Sequence, residues 1–249
     1  MKSAFQNISE MNTAFGNLFG SCVKEGKITD YKKLLNQSKN LYDELDEMRD
    51  DGFSILIKDA HSKEGRVGMV DAIGDVIVFL YGVPHFLGDH YKTPTTEVEF
   101  FYNEILSYKA EEKYDAIYNK AKSLIDNIIE SVSKESTVSE VIDAVGELDA
   151  YINALCKYYN VDLTLLIDLI TLSNMSKLCK DETEQNATLK KYQDDGVEVY
   201  AQPSPLLQDS GVPYLVVYSS IEQTVKGKVY RANKFLKCVN WFEPDLAKI

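Results

Sequence analysis

Two short stretches carry the residues best able to do chemistry. Asp43-Glu44-Leu45-Asp46-Glu47 places Glu44 and Glu47 at i and i+3, one turn apart on a single helical face. Asp71 and Asp75, at i and i+4 in an otherwise apolar stretch, do the same on a second helix. If the two helices form an antiparallel hairpin, four carboxylates converge, and like charges at that range resist ionising together. A divalent cation resolves the conflict. Magnesium takes oxygen ligands at roughly 2.1 Å and keeps several waters, leaving positions for phosphate oxygens and for an attacking water. In-line attack of that water on phosphorus, with charge on the leaving phosphate neutralised, is hydrolysis of a phosphoanhydride. The bland alternative is that Glu44 and Glu47 form only a solvated face. Asp71 and Asp75 weigh against it, because acids beside a core stretch need a partner or a metal.

The elements that must position these residues are legible from periodicity. Tyr31, Leu34, Leu35, Leu41, Leu45 and Met48 recur at helical spacing, which predicts a helix from Ile28 to about Arg49 with Asp30 as N-cap and Asp50-Asp51-Gly52 as its stop. A second helix is expected from near Lys63 to about Gly82-Val83-Pro84; past Asp75 it is apolar nearly all round, so it should sit centrally. Residues 92 to 98 read as a capped lead into further helices over 97–110, 112–131, 138–159 and 163–172. Such a run predicts an all-α fold, a helical bundle whose ligand sites lie between facing helices. After Lys180 a polar stretch at 181–186 precedes short strand-like runs at 197–200, 214–218 and 227–230. The expected organisation is therefore a bundle over 1–180 and a small, basic, β-containing lid or docking segment over 181–249.

An internal repeat supports the bundle. Asn36 to Asp43 resembles Asn119 to Asp126, and Val70 to Asp75 resembles Ile142 to Glu147. Two tandem helical hairpins, about 30–91 and 112–172, could form a pseudo-symmetric four-helix core. Either the chain is then self-sufficient, or two chains pair as a homodimer. The copies differ chemically: Asn127 stands where the first copy has Glu44, while Glu130 matches Glu47.

Composition narrows the partners. With 249 residues, 45% of them hydrophobic, the chain is long enough for a large core. A net charge of −12 argues against a nucleic-acid partner, since that affinity comes largely from Lys and Arg. The polar start Met1 to Glu10 lacks the apolar run of a signal peptide, and the longest apolar stretch, Val76 to Val83, is too short to cross a bilayer, so a cytoplasmic protein with no membrane partner is expected. Cys22, Cys156, Cys179 and Cys238 are scattered without a CxxC pair, and His61, His85 and His90 show no ligand spacing. Lys226, Lys228, Arg231, Lys234 and Lys237 concentrate positive charge near the C-terminus; Trp241 and Phe242 read as anchors of that segment.

The order and spacing of these motifs resemble the all-α NTP pyrophosphohydrolase superfamily, which includes MazG-like enzymes and dimeric dUTPase/dCTPase-like proteins. The resemblance rests on Asp43 to Glu47 and on Asp71-Ala72-Ile73-Gly74-Asp75 followed by apolar residues and Gly82. It extends to Ser173-Asn174-Met175-Ser176-Lys177, and to Gly227-Lys228-Val229 with Phe235-Leu236-Lys237. It implies an Mg2+-dependent nucleotide pyrophosphatase, with Mn2+ as a substitute, converting a nucleoside triphosphate such as dUTP or dCTP to monophosphate and pyrophosphate. Glu44, Glu47, Asp71 and Asp75 would be the catalytic and metal-binding carboxylates; Asn174, Lys177 and Lys237 would bind substrate. The sequence departs from the family where a glutamate is expected three residues before the second acid: Gly68 precedes Asp71 and Ala72 precedes Asp75. That departure, with Asn127, motivates the alternative of a catalytically lapsed regulator that binds nucleotide or protein.

Overall fold

The computed structural model describes residues 2–92 and 96–249. The chain is mostly helical, with small strands, most of them toward the C-terminus. Helix α1, Ala4–Ala14, precedes a short antiparallel ladder of β1 (Val23–Lys24) and β2 (Lys27–Ile28). The sequence reading missed both. In α1 the apolar residues Phe5, Ile8, Met11 and Ala14, at every third residue, form a buried stripe in a polar segment.

Helix α2, Tyr31–Glu47, starts as expected, with the Asp30 carboxylate accepting from the Lys33 amide at 2.9 Å. Its buried face is Leu34, Ser38, Leu41 and Leu45. The expected stop at Asp50-Asp51-Gly52 is not one. Met48–Phe53 form a π-helical turn that leads directly into α3, Ser54–Leu56. Gly52 serves close packing rather than termination: a Cβ there would lie 2.9 Å from the Met69 Cα.

Helix α4, Lys63–Leu87, is capped by the Ser62 hydroxyl and ends at Gly88 with φ of 69°. The expected end at Gly82-Val83-Pro84 is also passed. Proline costs the helix one donor, but residues 82–87 are all buried, and packing rather than propensity holds this last stretch. Gln37 crosses the bare face of Gly82 to donate to the Phe79 carbonyl at 2.8 Å. By length and composition α4 could cross a membrane, against the reading of Val76 to Val83 as too short, but 67% of its most apolar window is buried within the protein.

Four more helices follow: α5 (Thr96–Ser107), α6 (Lys113–Ser133), α7 (Val138–Tyr159) and α8 (Leu163–Met175). The expected capped lead at 92–98 falls in part on residues 93–95, outside the described residues. A capping box of Thr137 and Glu140 opens α7.

The chain divides into two compact units, one of residues 1–9, 18–168 and 245–249, the other of 10–17 and 169–244. In the first, α2 packs on α4 and α6, and α7 packs on α4, α5 and α6, so α2, α4, α7 and α6 close a ring around a shared core. Leu41, Leu45, Ile73, Ile77, Ile128 and Leu148 are buried in it, and each such side chain contributes about 1.5–3 kcal/mol on leaving water. One acid belongs to this core. The buried Asp149 carboxylate accepts from the hydroxyls of Tyr81 (3.1 Å) and Tyr91 (2.9 Å) and from the Asn153 amide (2.9 Å).

In the second unit the polar stretch at 181–186 begins a helix, α9, Glu182–Asp194, which the sequence reading did not foresee. Asp181 caps it, and only Thr188 and Tyr192 are buried along it, too few to show a periodic pattern. Strand β3 (Val199–Leu207) pairs antiparallel with β4 (Pro213–Ser219), placing Tyr200 opposite Tyr218 with ring centroids 5.2 Å apart. A second antiparallel pair joins β5 (Gln223–Val225) to β6 (Lys228–Tyr230). Cys179, Tyr192, Val197, Val217, Leu236 and Cys238 make the unit's main core cluster.

Candidate functional site

The packing of α2 on α4 decides where the acids go. Along α2 the stripe Leu34, Leu41, Leu45 turns into the core, which leaves Glu44 half-buried at its edge and Glu47 exposed one turn further on. Along α4, Asp75 is half-buried and Asp71 exposed. The four share one field. Burial, followed by the charges of Asp75, Glu47, Asp43 and Asp71, pushes the Glu44 carboxyl up to about 8 from an ordinary 4.5. Glu47 is raised as well, by burial first and then by Asp51, Asp71 and Asp43. The charges that raise these two glutamates are other carboxylates.

Asp51 is a member of this cluster that sequence reasoning missed. The chain passes from α2 into the π-helical turn without stopping, so Asp51 follows Glu47 by one further turn and faces the same surroundings. Continuing the Glu44, Glu47 spacing by four residues would have found it, had Asp50-Asp51-Gly52 not read as a helix end. The structure also explains Gly68. A Cβ at that position would lie 2.4 Å from the Asp51 carbonyl oxygen, so the two backbones meet where the resembling family carries a glutamate. Asp46 and Asp50 belong elsewhere: Arg49 pairs with them at 3.1 and 2.8 Å, and the Tyr118 hydroxyl donates to Asp46 at 2.7 Å.

The donor set is all carboxylate oxygen, the hard chemistry that suits Mg2+ or Mn2+. Its excess negative charge is the property that such an ion offsets. Among the described residues, no three His, Cys, Asp or Glu side chains form a closed group able to hold a metal ion as they stand. The carboxylates thus share donor chemistry and negative charge without being gathered on a point. In the second copy of the motif, Asn127, Glu130, Asp143 and Glu147 are all exposed, and Tyr42 hydrogen-bonds Asp126.

Asn174, Lys177 and Lys237 lie in the second unit. The Lys177 ammonium donates to the Asn174 side-chain oxygen, so these two are brought together, and it stands 5.5 Å from the Phe235 ring centroid. Lys237 has a different neighbour, its ammonium lying 3.3 Å from the Trp241 ring centroid. Burial there lowers its pKa. Phe242 is anchored by its backbone, whose carbonyl accepts from the Ser173 hydroxyl at 2.9 Å. Lys226 pairs with Asp195 at 2.5 Å. His85 is buried against the Ser9 hydroxyl at 2.8 Å, a structural contact.

No family model matches the chain, and no solved structure matches it. It is similar to Uncharacterized protein L479 of Acanthamoeba polyphaga mimivirus, 25% identical over 203 residues that cover 76% of each protein.

Proposed function

We propose that this chain is a cytoplasmic, Mg2+-dependent nucleotide pyrophosphohydrolase of the MazG-like, dUTPase/dCTPase-like kind, built on two tandem helical hairpins, that hydrolyses a nucleoside triphosphate to its monophosphate and pyrophosphate. The observation that carries the reading is the elevation of Glu44 to about 8, by its burial first and then by the carboxylates around it. A protein that holds Glu44, Glu47, Asp71 and Asp75 within one another's field has accepted a cost that a structural surface has no reason to carry. When bound, Mg2+ supplies charge neutralisation and Lewis acidity toward phosphate oxygens. The half-buried Glu44 and Asp75 set the floor of the site, and the exposed Glu47 and Asp71 form its rim toward solvent. Asn174, with its amide, suits a base or ribose, whereas Lys177 and Lys237 suit phosphate.

The reading is tested by measuring pyrophosphate release from a panel of ribo- and deoxynucleoside triphosphates with Mg2+ or Mn2+. Turnover is expected with a pyrimidine deoxynucleotide among the substrates, and Glu47→Gln should lower kcat at least a hundredfold. No release from any nucleotide would remove the enzymatic reading. A second reading, a catalytically lapsed nucleotide- or protein-binding regulator, is favoured by the open arrangement of the acids and by the closed-off position of Gly68. Nucleotide binding without turnover would select it.

A further inference from the structure

The first unit carries another concentration of polar groups, where the end of α7 meets the start of α4. A cleft of about 560 Å3 has Tyr114, Tyr158 and Tyr159 in its wall, and an adjoining one of about 290 Å3 has Lys63 and Arg66. Tyr114 and Tyr159, with Leu56 and Ala60, line both, so the two are lobes of one groove. Their combined size is that of a small-molecule site.

Three observations define what fits. The walls of the larger lobe are aromatic, with the Tyr158 and Tyr159 rings 4.9 Å apart edge to face, and offer a planar ligand extended contact. Glu111, Lys113 and Asp115 line that lobe, with the Lys113 ammonium donating to the Tyr158 hydroxyl, whereas the charged side chains lining the smaller one are the cations Lys63 and Arg66, at the N-terminal turn of the 25-residue helix α4. An anionic group therefore belongs at the α4 end. Arg66 is held across the end of α7 by donating to the carbonyls of Tyr159 (3.0 Å) and Asn160 (3.4 Å), and also to Ile249 (2.9 Å). Finally, the Tyr159 hydroxyl is buried with no hydrogen-bond partner among the described residues. Burial holds its pKa well above that of an ordinary tyrosine, so at neutral pH it is a donor without an acceptor.

We propose that this groove binds a small aromatic anion, its ring against Tyr114 and Tyr158, its anionic group toward Lys63 and Arg66, and an oxygen accepting from the Tyr159 hydroxyl. The site is separate from the carboxylate cluster. At 100° per residue, Asp71 points roughly 140° around α4 from Arg66, so the groove neither needs nor predicts the proposed hydrolysis.

The test titrates phenylphosphonate, methylphosphonate and benzyl alcohol into the full chain by calorimetry, with EDTA present so that cation-bridged binding at the acids is suppressed. Phenylphosphonate should bind saturably and at least tenfold more tightly than either fragment. Tyr159→Phe, which removes only the unpartnered hydroxyl, should weaken it about fivefold without lowering Tm. Lys63→Ala, at an exposed helix start, should weaken it too and serves if the tyrosine variant misfolds. Absence of saturable phenylphosphonate binding, equal affinity for methylphosphonate, or unaltered binding by the folded variants would each overturn the proposal.

Discussion

A carboxyl that holds its proton to about pH 8 makes the folded state sensitive to pH in a definite direction. Because the folded pKa of Glu44 lies above its ordinary 4.5, the folded chain binds more protons than the unfolded chain between those values. Its contribution is fully present below pH 4.5 and is lost as pH rises toward about 8. Without divalent cations, a series of thermal melts should therefore show the Glu44 contribution falling across that window, and the slope should be shallower in Glu44→Gln. At pH 8 the same variant should melt about 2 °C higher than the parent chain, the screening of a half-buried side chain keeping the gain small. Millimolar Mg2+ should raise the Tm of the parent and leave the variant unmoved. The cluster was legible at this scale because spacings of three and four residues decide which side chains share a helical face. Asp51 was not, since Asp50-Asp51-Gly52 has the composition of a turn and only its contact with α4 makes it helical.

At the scale of elements, close backbone approach is the controlling feature. Gly52 and Gly68 both face the opposing segment at distances that no side chain tolerates. Gly68→Glu, which would restore the resembling family's acid, should instead destabilise the protein by about 2–3 kcal/mol, because the obstacle is the Asp51 backbone and not a flexible side chain. Urea unfolding checks this; a variant as stable as the parent would contradict the packing described for the π-helical turn. The same logic explains where sequence reading stopped short. Gly82 and Pro84 are helix breakers by propensity, yet α4 continues to Leu87 because burial on all sides outweighs the lost donor. Conversely, α9 was hidden because Thr188 and Tyr192 alone face inward, and propensity without an apolar stripe gives no signal. Helix α7 was legible to the residue, since Thr137 and Glu140 bracket its start and Asn160 in the left-handed conformation closes it.

For the molecule as a whole, the ring of α2, α4, α6 and α7 provides the frame that carries the acids of α2 and α4. Asp149 ties two parts of that frame together through Tyr81 and Tyr91. Asp149→Ala should cost about 3 kcal/mol, the penalty of leaving buried hydroxyls without an acceptor, read as a lower urea midpoint. Sequence periodicity foretold the helical frame but not this tie, as no pattern of spacing announces an acid whose tyrosine partners lie outside its own helix. The proposed function depends on Glu44 lying in a shared field of carboxylates that a divalent cation would relieve. Selective 13C labelling of glutamate carboxyls, followed by NMR across a pH titration with and without Mg2+, measures this directly. Glu44 is expected to titrate near pH 8 in the metal-free protein and to move down into the ordinary carboxylate range with Mg2+. A Glu44 that titrates near 4.5 in both conditions would contradict it.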